Sequence, residues 1–155
     1  MAKKDLKYFM RDNTPEIVTA PGPDSFKDES GNVIQFEIKV LTQGEIQKIN
    51  DAYRQRKIAT DKKGNPIVSN GEVVWKVEKD NARATRHIIA EALQYPDLKD
   101  EQLMKHYGCV DITEMPLHVF PKANEFEHVL RIVMNALGLG DFAEDDEKTL
   151  EEAKN

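Results

Sequence analysis

The chain has 155 residues, 39% of them hydrophobic and 32% charged, and a net charge of −6, the balance of one globular domain with a heavily charged surface rather than of a disordered chain. No apolar run nears the roughly 18 residues of a membrane span, the basic start Met1–Lys7 is followed by no apolar signal region, and the lone Cys109 can form no internal disulfide; a membrane partner and export are not expected, and the cytoplasm is the expected location. Residues 141–155 hold seven acids and two lysines, a net of −5 that leaves the preceding 140 at −1; a body without a basic stripe is a poor ligand for phosphates, so nucleic acid is not an expected partner.

In chain order, residues 1–25 read as an N-terminal arm. A short apolar cluster, Leu6, Tyr8, Phe9 and Met10, is followed by the punctuation Asn13-Thr14-Pro15 and Pro21-Gly22-Pro23, which marks arms and linkers. The globular domain is expected over 26–138. It opens with a turn at Glu29-Ser30-Gly31-Asn32 and the alternating stretch Val33–Val40, whose Ile34, Phe36, Ile38 and Val40 share one face; this period of two predicts a half-buried strand in a first β-hairpin. Thr42 stands three residues before Glu45, the spacing of a capping box, and predicts a helix to about Ile58 with a thin stripe of Ile46, Ile49 and Tyr53. Asn70-Gly71 between Ile67–Ser69 and Glu72–Val77 predicts a second hairpin, because both residues tolerate the positive φ of a type I′ turn. Glu78–Leu93 reads as a helix stopped by Pro96, and a short helix from Asp97 or Lys99 carries Leu103, Met104 and Tyr107 to a left-handed cap at Gly108. After Pro121 comes the clearest helix, with Phe126, Val129, Leu130, Val133, Met134 and Leu137 at helical spacing and Gly138 closing it. No internal repeat stands out. The predicted fold is α+β and mostly α, with four to five helices, two β-hairpins and a mobile acidic tail over 139–155.

Chemistry is sparse. His87, His106, His118 and His128 fall in different predicted elements with no metal-ligand spacing, and His106 with Cys109 lacks a second thiol, so no metal is expected. Gly138-Leu139-Gly140 follows a helix instead of preceding one and reads as a cap, not a phosphate cradle. The carboxylates of Glu144-Asp145-Asp146-Glu147 sit in a solvated run without the cleft that acid–base catalysis needs. An enzyme would have to assemble a site from dispersed residues such as His106, Asp111 and Glu114, and no nucleophile, base and orienting group are suggested. No catalytic, cofactor-binding or metal-binding residues are assigned, and the chain is read as a non-enzyme.

Four features in this order resemble the XkdN-like tail assembly chaperones of long-tailed phages and phage-derived elements: the opening Leu6-Lys7-Tyr8-Phe9-Met10; Phe26-Lys27-Asp28-Glu29-Ser30-Gly31-Asn32 leading into a strand and the helix capped at Thr42; Tyr95-Pro96-Asp97-Leu98 followed by Asp100, Leu103, Tyr107 and Gly108; and the last amphipathic helix. Two stretches depart from the family pattern, Pro121–Phe126 at the entry of the last helix and the long hairpin about Asn70-Gly71. The resemblance implies a protein of the host cytoplasm that binds the tape measure protein, keeps it soluble, helps recruit tail tube protein around it, and is absent from the mature virion. Self-association is a further expected contact, and Leu6, Tyr8, Phe9 and Met10 are the candidate partner-binding residues, since a chaperone needs adaptable apolar contacts. The rival reading is an acidic regulatory protein or nucleic-acid mimic that binds a basic host or phage protein through residues 141–155.

Overall fold

A computed structural model describes residues 4–12 and 14–140; the acidic tail, from 141 onward, lies outside them. The described chain is α+β, with five α-helices and strands paired only in antiparallel fashion. β1 (Ile17–Pro21), β2 (Gln35–Lys39) and β7 (Leu93–Tyr95) form a three-stranded sheet in the order β1-β2-β7. Alternation in β2 holds as the sequence predicts: Phe36 and Ile38 are buried while Gln35 and Glu37 are exposed. Its main partner is β1, in the register Ile17 opposite Lys39 to Pro21 opposite Gln35. The stretch 1–25, expected to be an arm, thus contributes the edge strand. Its Pro-Gly-Pro break is tied to the body, because Gly22 N–H donates to the Ile34 carbonyl at 2.9 Å, Pro21 O lies 2.8 Å from His128 Nε2, and Ser25 Oγ donates to the buried Glu125 at 2.6 Å.

α1 (Gln43–Ala52) begins as expected, with Thr42 Oγ1 accepting from Glu45 N–H at 3.2 Å, but it stops six residues short of Ile58. Arg54–Ile58 is a strand, β3, paired with β6 (Trp75–Lys79) from Arg54 opposite Lys79 to Ile58 opposite Trp75. The reason is the apolar stripe, which ends at Tyr53. Beyond it a helix would have had only Ile58 to bury. Between these strands the short β4 (Val68–Ser69) and β5 (Glu72–Val73) flank Asn70-Gly71, whose φ values of 52° and 78° are those of the predicted turn. Residues 54–79 form a β arm.

α2 (Asn81–Ala92) starts at the Asp80 cap, three residues later than predicted, because Glu78 and Lys79 are still in β6. α3 (Glu101–Tyr107) ends at Gly108 with φ 61°, and α5 (Ala123–Ala136) is followed by Gly138 with φ 78°, both as read from the glycines. Leu139, assigned to the tail, donates its N–H to Met134 O at 2.8 Å and packs on the core. One short helix was not predicted, α4 (Met115–Val119), in which Pro116 sits in the first turn. The core gathers Phe36 and Ile38 of β2, Ile88, Ile89, Ala90 and Ala92 of α2, Met115 and Val119 of α4, and Val129 and Val133 of α5. Phe26, Phe36 and Phe120 close one side, with ring centroids 5.7–6.4 Å apart, each pair contributing about 0.5–1.5 kcal/mol beyond area burial.

A five-residue turn recurs. Asp28-Glu29-Ser30-Gly31-Asn32 and Asp61-Lys62-Lys63-Gly64-Asn65 have the same bonds. In each, the aspartate Oδ1 accepts from the N–H groups two and four residues on, all at 2.9 Å, and the glycine takes a φ of 84° or 85°. Asx turns of this kind close hairpins. The repeat is too short to show in a search for repeated elements.

Candidate functional site

The apolar cluster near the start forms a single 3-10 turn, Leu6–Phe9. Asp5 caps it by accepting from Lys7 N–H at 2.9 Å, and Met10 N–H donates back to Lys7 O at 3.2 Å. These local bonds gather four large side chains without burying them: Leu6 is 68% exposed, Tyr8 76%, Phe9 79% and Met10 77%. An apolar group of that size held in water is a feature of interaction sites more than of folding.

The stripe of α5 is different. Val129 and Val133 are fully buried, and Phe126, Leu130, Met134 and Leu137 pack against the core, so the helix is spent on the fold. A groove of about 440 Å³ between α1 and α2 is lined by Leu41, Lys48, Ile49, His87 and Glu91 among others. Tyr53 Oη lies 2.6 Å from His87 Nδ1, and Glu91 bonds Lys99 at 3.0 Å. Burial pushes the Glu91 carboxyl up, but Lys99 and His87 outweigh it and hold it below the ordinary glutamate range.

The residues from which a dispersed active site could have been built are engaged elsewhere. Asp111 accepts from the Thr113 hydroxyl at 2.8 Å, the Thr113 N–H at 2.9 Å and Arg83 at 2.9 Å, and these bonds, those of Thr113 above all, hold its carboxyl below the usual aspartate range. Glu114 lies 3.9 Å from Arg86, whose Nε donates to Thr113 O at 2.8 Å. His106 packs edge-on to Tyr107, and the Cys109 thiol donates to Asp111 O. The arrangement is a latch between α2 and the segment before α4. Among the described residues no three His, Cys, Asp or Glu side chains are grouped as metal ligands, and no helix is long and apolar enough to cross a membrane.

A second exposed surface was missed by sequence reasoning, that of the β arm. Directly opposed residues of an antiparallel pair share a face, so Arg54, Arg56 and Ile58 lie with Lys79, Val77 and Trp75. Ile58, Trp75 and Val77 are 39%, 48% and 58% exposed, and Arg56 lies over the Trp75 ring at 4.5 Å. The signal was available in the two runs, but pairing them requires knowing that α1 ends at Ala52.

Residues 6–154 match the family described as phage XkdN-like tail assembly chaperone protein. The chain is 28% identical over 153 residues to the phage-like element PBSX protein XkdN of Bacillus subtilis strain 168, covering 97% of this chain and 94% of that one. It is 30% identical over 156 residues to YqbN of the same organism, at 97% and 93% coverage. The crystal structure of YqbN superposes with a TM-score of 0.66 over 88% of this chain and 98% of that one, at 23% identity, which shows a shared fold.

Proposed function

Since the chain belongs to the XkdN-like family of phage tail assembly chaperones, we propose that it acts on the tape measure protein of its phage. It binds that protein in the host cytoplasm, keeps it soluble while tail tube subunits gather, and leaves before the virion is complete. The observation that carries this reading is the exposed turn with Leu6, Tyr8, Phe9 and Met10. A long client needs contacts that adapt to many segments, and the unbranched thioether of methionine with two aromatic rings offers them. Nothing in such a role calls for catalysis or a cofactor.

Co-expression with the tape measure protein of the same phage tests it. The chain should raise the soluble fraction of that protein and co-purify with it. The double variant Phe9→Ala, Met10→Ala should weaken co-purification about tenfold, as hot-spot truncations do, with the melting temperature unchanged. Retained binding together with a loss of several degrees would show instead that the cluster serves the fold. Peptides of this chain in purified virions at stoichiometric level would overturn its departure.

A further inference from the structure

The β arm concentrates positive charge. Residues 54–79 hold seven basic and three acidic side chains, a net of +4 within a chain of −6, so the near-neutral body read from composition conceals a basic segment and an acidic remainder. The two faces of the arm differ. On one, Glu78 bonds Lys57 at 2.8 Å and Lys76 at 3.1 Å and satisfies both. On the other, Arg54 has only Asp51 at 3.8 Å, and Arg56 and Lys79 have no ion-pair partner among the described residues. These three cations flank the exposed strip of Ile58, Trp75 and Val77, Arg54 and Lys79 at one end of it and Arg56 opposite Val77.

A two-stranded ribbon with an uncovered apolar strip is marginal in water, and ribbons of this kind gain stability when a helix packs on them. Five residue pairs at about 3.4 Å per residue give a face about 17 Å long, which matches about eleven residues of helix. A second copy of the same face would bring three cations against three, so like charge opposes self-pairing. Phosphate polymers are opposed by the acidic remainder of the chain.

We propose that this face of the arm docks an acidic amphipathic helix of a partner protein, with the partner's apolar side chains on Ile58, Trp75 and Val77 and its carboxylates on Arg54, Arg56 and Lys79. The proposal goes beyond tape measure binding by the N-terminal turn and stands or falls separately from it.

Trp75 is the only tryptophan, so its emission reports on this face alone. The full chain is titrated with a synthetic helical peptide about 15 residues long, with leucines along one stripe and glutamates flanking it. The expected result is a saturable blue shift of Trp75 emission that weakens as salt is raised. Arg56→Gln should weaken binding about tenfold, and Lys76→Gln, equal in charge but on the opposite face, should leave it unchanged. Circular dichroism of each variant checks that the fold persists. Equal losses from the two variants would mean that net charge, not this face, does the binding, and would overturn the proposal. So would equal binding of a scrambled peptide without the apolar stripe, or of one with lysine for glutamate. A Trp75 shift on concentrating the protein alone would assign the face to self-association, and a shift with an oligothymidylate but not with the peptide would assign it to nucleic acid; either outcome overturns it.

Discussion

Gly22 occupies a position where a Cβ would collide with Cε1 of Phe36, and that ring is wedged between Phe26 and Phe120. The glycine is required by proximity, since it lets the backbone lie on the ring face. Gly22→Ala should cost about 1–3 kcal/mol by overpacking, a fall of roughly 2–12 °C for a chain of this size, measured by thermal denaturation; an unchanged melting temperature would refute the close approach. In sequence, Pro21-Gly22-Pro23 carried the opposite message, because punctuation in a linker and punctuation in a tight packing contact are spelled alike. Asp111 supports a prediction about acid. Its folded pKa lies below the ordinary 3.8, held down by the Thr113 bonds first and by Arg83. The stability it contributes is therefore fully present above the ordinary value and is lost as pH falls through 3.8 toward the lower folded value. Urea midpoints taken from pH 5 down to pH 2 should fall less for Asp111→Asn than for the parent chain; identical slopes would mean that the latch is not linked to protonation.

At the scale of elements, what could be read in advance depended on whether the signal was local. The caps at Thr42, Gly108 and Gly138, the turn at Asn70-Gly71 and the alternation in β2 are written within a few residues, and each is found where expected. β1 and β3 are not written that way. Arg-Gln-Arg-Lys-Ile has no alternation of apolar and polar residues, and it becomes a strand only because β6 returns beside it. Exposed on both faces, the arm should open on its own, since it lends no residue to the core. Amides of Gln55, Lys57, Lys76 and Glu78, which lie at the hydrogen-bonded pairs of the ribbon, should exchange at least about a hundredfold faster than those of Ile88, Ile89 and Val133, by local opening below the global free energy. Equal protection would show that arm and body unfold together. The exposed N-terminal turn was legible as a cluster, whereas the mixed face of the arm required pairing two runs some twenty residues apart.

For the molecule as a whole, α2 is the centre, touching α1, α4, α5 and β2, and its Ile89 is fully buried. Ile89→Ala should cost about 2–5 kcal/mol, lower the urea midpoint and leave the slope of the transition unchanged; a loss under about 1 kcal/mol would mean that the site collapses to fill the void. The chain path also fixes geometry outside the core. Only six residues, Arg11–Glu16, separate the exposed turn from β1, which pairs through Ile17 with Lys39. Fully extended, such a stretch spans at most about 25 Å. If the proposed client is held by Phe9 and Met10, its adjoining segment is leashed within that distance of the edge strand β1, at the millimolar effective concentration that short tethers provide. On the proposed role, a weak grip at the turn would suffice, because the leash would return a long client's next segment to the same neighbourhood and retention would come from rebinding instead of from a single tight contact.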